Sequence, residues 1–195
     1  MEVFNTIHIL SGTCSIWRTE VVKQLDWQES PVEDMDMSYQ IHRRKLGKLA
    51  YAAKAVVLTQ EPTSLRDYTH QLTRWFRGYW LTTAKYKTPF GRQSLDFGQA
   101  VFLAEGAWTF ARLLALPFLF LHFLPVWFVL AYVYDVCFLV VIVILSARLT
   151  RDFRPILFLP ALLLLYFYDV VLNFVSFLSY RKLTTGLWVS PERQP

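Results

Sequence analysis

The sequence predicts an α/β module over residues 1–62, an amphipathic helix within 63–95, an α-helical membrane region over 96–180, and a short tail, 181–195. Three observations carry that prediction. Charge is unevenly spread: residues 1–95 hold 13 Lys/Arg and 9 Asp/Glu, whereas 98–180 are dominated by Leu, Phe, Val, Ala, Tyr and Ile. The 54% hydrophobic content is therefore the average of a soluble part and a membrane part. In the soluble part, short apolar and β-branched runs alternate with two capped helix starts. At 195 residues, one or two domains are expected.

Taken in order, Ile7-His8-Ile9-Leu10 reads as a short strand, Ser11-Gly12-Thr13 as a tight turn, and Cys14-Ser15-Ile16-Trp17 as a second strand. Arg18 to Leu25 suits one or two helical turns. Ser30-Pro31-Val32-Glu33 reads as a helix start, with Ser30 at the N-cap, Pro31 at the first helical position and Glu33 closing a capping box. That helix runs through Met37 and Ile41 to Gly47, a natural residue to follow a helix end. Leu49–Tyr51 and Ala55–Thr59 read as two more strands. Ser64-x-x-Asp67 opens the next helix. On it Leu65, Tyr68, Leu72, Trp75, Phe76, Tyr79 and Trp80 recur at spacings of three and four, giving one broad aromatic face suited to a membrane surface.

Three apolar segments follow: Gly98–Leu121 with Glu105 and Arg112, Pro125–Ser146 with Asp135, and Pro155–Tyr180 with Asp169 and Asn173. Each reaches the roughly 20 residues that a bilayer span needs. The short link His122-Phe123-Leu124 makes the first two a hairpin. Arg148, Arg151 and Arg154 in the next link place it in the cytoplasm with residues 1–95. A spanning third segment would then leave Arg181 and Lys182 outside, against that rule, so this segment is either an exception to the rule or interfacial or re-entrant. The intramembrane charges either line a passage or pair with one another.

The net charge of +5 comes from dispersed Lys and Arg, which excludes a nucleic-acid-binding arm and suits anionic headgroups or a nucleotide diphosphate. Cys14 and Cys137 form neither a disulfide framework nor a metal-ligand set, and His42, His70 and His122 follow no ligand spacing. No secretory signal is apparent over Met1–Leu10.

Four pieces occur in order: Ser11-Gly12-Thr13-Cys14-Ser15-Ile16-Trp17-Arg18, Val32-Glu33-Asp34-Met35-Asp36-Met37-Ser38, Glu61-Pro62-Thr63-Ser64-Leu65 and Gln71-Leu72-Thr73-Arg74-Trp75. Together they resemble the C-terminal half of a processive family-2 glycosyltransferase, the group containing cellulose, hyaluronan, chitin and poly-N-acetylglucosamine synthases. The resemblance implies the C-terminal, acceptor-side half of a GT-A domain in residues 1–62, and inverting transfer of a sugar from a UDP-sugar to a polysaccharide or lipid-linked acceptor. It makes Asp34 the catalytic base of a T-E-D motif whose Thr is here Val32. Gln71 and Arg74 then face the diphosphate, and Trp75 stacks on the acceptor sugar. Gly12, Glu33 and Asp36 complete the expected substrate-binding set. Taken from the residues alone, Glu33 is a capping residue, Asp36 a polar helix-face residue and Trp75 an interfacial anchor.

The chemistry agrees with those residue types. Attack by a hydroxyl needs a carboxylate base, and a departing pyrophosphate needs a cation, which a guanidinium fork supplies. The resemblance also implies Mg2+ or Mn2+ held by a D-x-D motif on the donor side. Residues 1–10 contain no such motif, so the donor-binding half is expected from a partner or through self-association, and the chain alone is expected to be inactive. The protein is expected in a plasma or inner membrane with its catalytic part in the cytoplasm, in contact with lipids and with no nucleic acid. The competing reading is a catalytically dead membrane scaffold or polymer-channel component.

Overall fold

The computed structural model describes residues 7–27, 30–52, 62–88, 90–120 and 126–180, with scattered positions between 53 and 61. Among the described residues all regular structure is helical. The elements are α1 (Thr19–Val22), α2 (Glu33–Arg44), α3 (Leu65–Lys85), α4 (Ser94–Phe120), α5 (Val126–Thr150), α6 (Arg154–Leu157) and α7 (Leu159–Ser179).

This overturns the expected α/β class and, with it, the GT-A half-domain over residues 1–62. Ile7–Leu10, Cys14–Trp17 and Leu49–Tyr51 form no strand, and part of Ala55–Thr59 lies outside the described residues. The physical reason is that a four-residue apolar run has no ladder of its own. Strand propensity takes effect only where a neighbouring strand accepts the backbone bonds. Here side chains of α2 take that part: Leu10 N–H donates to Ser38 Oγ at 3.0 Å and Gly12 N–H to Asp34 Oδ2 at 2.8 Å. The 7–12 segment is strapped to a helix rather than paired in a sheet.

The chain divides into two compact units, Met1–Leu103 with Val175–Pro195, and Ala104–Phe174. The first is organised around α2, on which every residue from Met35 to His42 is buried. Two clusters flank it. Met37 and Ile41 pack with Leu25 and Leu49, against Leu10, Trp17 and Leu46. Val32, Met35 and Tyr39 pack with Leu95, against Tyr79 and Tyr86. A helix buried on both sides must satisfy its polar residues internally, and α2 does so. Gln40 exchanges two bonds with the Asp26 backbone, at 2.8 and 2.9 Å, and donates to Asp36 at 2.9 Å. Asp36 is paired with Lys85 at 2.7 Å. His42 Nε2 lies 2.8 Å from the Ile7 carbonyl, which can only accept, so this nitrogen carries the proton.

The helix ends differ from the sequence expectation. α2 begins at Glu33, not Pro31; its N-cap residue is Val32 and no side chain caps it. At its other end Lys45, not Gly47, closes the helix, with φ 55° and ψ 39°. Leu46 N–H donates to Ile41 O at 3.1 Å and Lys45 N–H to His42 O at 3.4 Å. This is a Schellman closure with its apolar contact, since Leu46 packs on the cluster that contains Ile41. A side chain in the left-handed region is unfavourable, and glycine removes that penalty. Lys45→Gly is therefore expected to stabilise the unit by roughly 0.5–1 kcal/mol, net of the added chain entropy. An unchanged or lower thermal midpoint would show that Lys45 carries no such penalty. At α3 the structure agrees with the sequence: Asp67 N–H donates to Ser64 Oγ at 3.1 Å, making Ser64 the N-cap.

The first turns of α4 also belong to this unit. Asp96, almost wholly buried, takes a two-pronged ion pair from Arg43 at 2.5 and 2.7 Å and a bond from Gln93 N–H at 3.0 Å. Burial alone would raise Asp96, but the Arg43 guanidinium and the backbone N–H groups of Gln93 and Gly91 outweigh it and hold the carboxyl below its ordinary value. Tyr79 OH donates to Gln99 at 2.6 Å. The C-terminal turn of α7 packs on α3, with Arg77 Nε donating to Ser179 Oγ at 3.1 Å and the Trp80 and Phe177 rings 4.7 Å apart.

His8 sits edge-on to His42, ring centroids 6.2 Å apart, and against Gly98, where a Cβ would strike the His8 ring. Burial first, then the neighbouring His42, holds His8 below its ordinary value. Burial likewise lowers His42; the Ile7 carbonyl opposes this and Arg43 reinforces it. A histidine depressed in the folded state binds its proton more readily when unfolded. The stability it contributes is thus complete above about pH 6.5 and is lost as pH falls through the lower folded value. The thermal midpoint is expected to drop between pH 7 and pH 5, and His8→Gln combined with His42→Gln should flatten that dependence. A slope that survives the double substitution would assign it to other groups.

In the second unit, Arg112 on α4 pairs with Asp135 on α5, and Tyr132 OH donates to the Arg112 carbonyl. Arg112 also donates to Ala131 O and Thr109 Oγ1, both at 3.2 Å, and lies over the Trp108 ring. Of the two roles left open for these charges, mutual pairing is the one observed for Arg112 and Asp135. Phe110 stacks on Phe174 with centroids 4.0 Å apart. Among the described residues, two helical stretches, Phe128–Thr150 and Leu159–Ser179, are long and apolar enough to cross a membrane.

Candidate active site

The first turn of α2 presents Asp34, half-buried, beside the 10–12 segment. Its Oδ2 accepts from Gly12 N–H at 2.8 Å and its Oδ1 from Met35 N–H at 2.7 Å. A carboxylate oxygen has two lone-pair directions, so each oxygen keeps one toward which a substrate hydroxyl could donate. Two further bonds fix this arrangement from behind. Ser38, one turn on, donates to the Asp34 carbonyl at 2.7 Å and accepts from Leu10 N–H at 3.0 Å. A Cβ placed on Gly12 would stand 3.3 Å from Asp34 Oδ2 and 3.4 Å from its Cβ, so the close approach of this backbone favours glycine.

Arg74 reaches the same end of α2 from α3. Its Nη1 donates to the Pro31 carbonyl at 2.8 Å, joining positions 43 residues apart. Pro31 stands three residues before Asp34, so the bond holds the guanidinium-bearing turn of α3 beside the carboxylate-bearing turn of α2. One turn beyond Arg74, Gly78 is buried against Val32: a Cβ there would lie 2.6 and 2.7 Å from the two Val32 methyl carbons. The position where the resemblance expects a Thr hydroxyl thus carries a buried apolar side chain that packs on α3.

The remaining predicted residues fall as follows. Gln71 is half-buried, one turn before Arg74 and Trp75 on α3. Trp75 is 44% exposed, which leaves an indole face open to a ligand or to the membrane surface. Glu33 is exposed beside Asp34 and caps nothing. Asp36 is 3% exposed and committed to Lys85 and Gln40, away from Asp34. The structure therefore joins Gly12 to Asp34, and Arg74 to Pro31 just before the helix that carries Asp34, and makes Asp36 a tie between α2 and α3.

Three contributors were missed by sequence reasoning. Ser38 gave a faint signal, a hydroxyl one turn after the carboxylate. Gly78 gave a clearer one, a lone glycine inside an otherwise aromatic helix, where glycine is unfavourable unless close packing requires it. The Pro31 carbonyl gave none. Among the described residues, no group of three or more His, Cys, Asp or Glu could hold a metal ion. These residues do not by themselves fit the divalent cation that the resemblance implies.

No curated protein and no solved structure matches the chain. Residues 4–78, the stretch that contains Gly12, Asp34, Gln71, Arg74 and Trp75, match the family model described as glycosyltransferase-like family 2.

Proposed function

We propose that the protein transfers a sugar, with inversion, from a UDP-sugar to a growing polysaccharide or a lipid-linked acceptor at a membrane face. One observation carries the reading. Arg74, donating to the Pro31 carbonyl, stands at the same end of α2 as Asp34, within the stretch that matches the family model. In the reaction, an acceptor hydroxyl attacks the sugar C1 while the C1–O bond to the diphosphate breaks. The hydroxyl proton passes to the Asp34 carboxylate. The electron pair leaves with the nucleoside diphosphate, whose developing charge meets Arg74. A guanidinium carries five N–H donors in a planar fork, the donor type that matches phosphate oxygens.

Trp75 and Gln71 take supporting parts: the exposed indole offers a flat face to the C–H face of the acceptor sugar, and the Gln71 amide is assigned to the diphosphate. The basic link Arg148, Arg151 and Arg154 supports a cytoplasmic catalytic part, and the two long apolar helices support an integral membrane location.

The test uses membrane vesicles that hold the protein with its native partners, against vesicles from cells lacking it. Labelled UDP-N-acetylglucosamine and UDP-glucose are supplied, and label is counted in polymer and in lipid extract. Label in either fraction from one donor, absent without the protein, is expected. Equal label with and without the protein would sink the reading and favour the scaffold.

A further inference from the structure

We propose that Gly78 is a positioning residue whose missing side chain sets the distance between the Arg74 guanidinium and the Asp34 carboxylate. The inference rests on the transferase reading above and adds to it a residue that directs neither a side chain nor a polar atom at substrate.

The argument is geometric. α3 can approach the N-terminal end of α2 only where the contact is free of a Cβ, because at Gly78 one would lie 2.6 and 2.7 Å from the Val32 methyl carbons and 3.2 Å from the Val32 Cβ. Real Cβ contacts do not reach the two shorter distances, and Val32 is itself buried at 8% exposure among Met35, Tyr39 and Leu95, so it has little room to turn aside. The helices must separate when position 78 gains a side chain. Both groups lie close to this contact along the chain. Arg74 precedes Gly78 by one helical turn, and Asp34 follows Val32 by two residues. The hydrogen bond from Arg74 to Pro31 is the polar half of the same junction. Asp34 is tied instead to the 10–12 segment, by Gly12 N–H and by the Ser38 link to Leu10, and not to α3. A displacement at Gly78 is therefore delivered to the Arg74–Asp34 separation rather than shared by both groups. Misplacement by about 1 Å remote from the reacting atoms can lower a rate by about 100-fold.

The experiment pairs the obstructing substitution with one that makes room for it. Gly78→Ala, Val32→Ala and the double variant are expressed in the full protein, and transfer is measured in the native-membrane vesicles described above. In parallel, spin labels on Glu33→Cys and His70→Cys, with Cys14→Ser and Cys137→Ser, report the distance between α2 and α3. Gly78→Ala is expected to lengthen that distance and lower kcat by about 100-fold, with the donor KM changed little. The double variant, in which only the 3.2 Å contact to the Cβ of residue 32 remains, is expected to recover at least about tenfold of the rate and most of the distance. Rescue separates positioning from general destabilisation, since Val32→Ala by itself removes buried methyl groups and should only weaken the fold.

A Gly78→Ala protein that keeps its rate, or a lengthened distance with an undiminished rate, would overturn the positioning role alone. So would a double variant no better than Gly78→Ala. An unaltered protein without transfer would instead overturn the transferase reading on which the role depends.

Discussion

Replacing Asp34 by Asn is expected to lower sugar transfer by about 10²- to 10⁴-fold, the span attributed to a positioned general base. Asparagine retains one oxygen that can accept from Gly12 N–H and gives up the bond from Met35 N–H, and Ser38 bonds to the main chain of residue 34 rather than to its side chain, so the local fold should survive with one bond fewer. What is lost is the ability to take the hydroxyl proton. The loss should appear in kcat, with donor affinity changed little, because the carboxylate is assigned to the acceptor side. Initial rates in the native-membrane vesicles decide it. A rate within about threefold of the unaltered protein would assign the base to another residue. Asp36→Asn is the comparison. It breaks the charge of the Lys85 pair and is expected to lower stability rather than kcat, since Asp36 is buried away from Asp34.

Arg74→Ala has the second large effect. Removing one preorganised donor to the charge of a transition state lowers kcat by about 10²- to 10³-fold. Here the substitution also removes the tie to the Pro31 carbonyl, so α3 loses its polar contact with the end of α2. Arg74→Lys separates the two contributions. A lysine keeps the positive charge but lacks the planar fork, so it cannot hold the carbonyl and a phosphate oxygen in one fixed geometry. Partial activity is expected, between that of Arg74→Ala and the unaltered protein. Equal activity of Arg74→Lys and Arg74→Ala would mean that fork geometry rather than charge carries the effect. Full activity of either would remove Arg74 from the chemistry.

How much of this was legible in the sequence differs by element. The helices with long periodic faces were readable: α3 begins at the Ser64 cap that Ser64-x-x-Asp67 announces, and its aromatic spacing matches the observed helix. The apolar helices α5 and α7 were legible from composition, because a run of that length has few alternatives. The strands were not. Ile7–Leu10 and Cys14–Trp17 have the composition of strands, but whether a short run pairs depends on residues far away, and here Leu10 N–H and the neighbouring Gly12 N–H donate to Ser38 and Asp34 of α2 instead. The capping box at Ser30 failed for a related reason. Ser30 Oγ accepts from Val32 N–H at 3.3 Å, a local turn, and the helix starts two residues later than the pattern suggests. At the other end the Schellman geometry overrode residue preference, placing Lys45 where a glycine was expected.

The candidate site shows the same division. Asp34, Arg74 and Trp75 stand in local motifs and were readable as such. That Asp34 and Arg74 share one end of α2 is a property of the packing of two helices, and it turns on Val32 and Gly78, neither of which has polar chemistry to announce it. Asp36 illustrates the converse. Its place in an acidic motif suggested substrate, whereas its distant partner Lys85 makes it a tie between helices.

The central claim is that Asp34 and Arg74 act on one transferring sugar. Its most direct test is a double-substitution cycle, with UDP release from the accepted donor measured in native-membrane vesicles for the unaltered protein, Asp34→Asn, Arg74→Ala and both together. Each single substitution should bring release close to that of vesicles lacking the protein. The pair should fall little further, as expected for groups that act as a unit. Release by either single variant at the rate of the unaltered protein would contradict the claim.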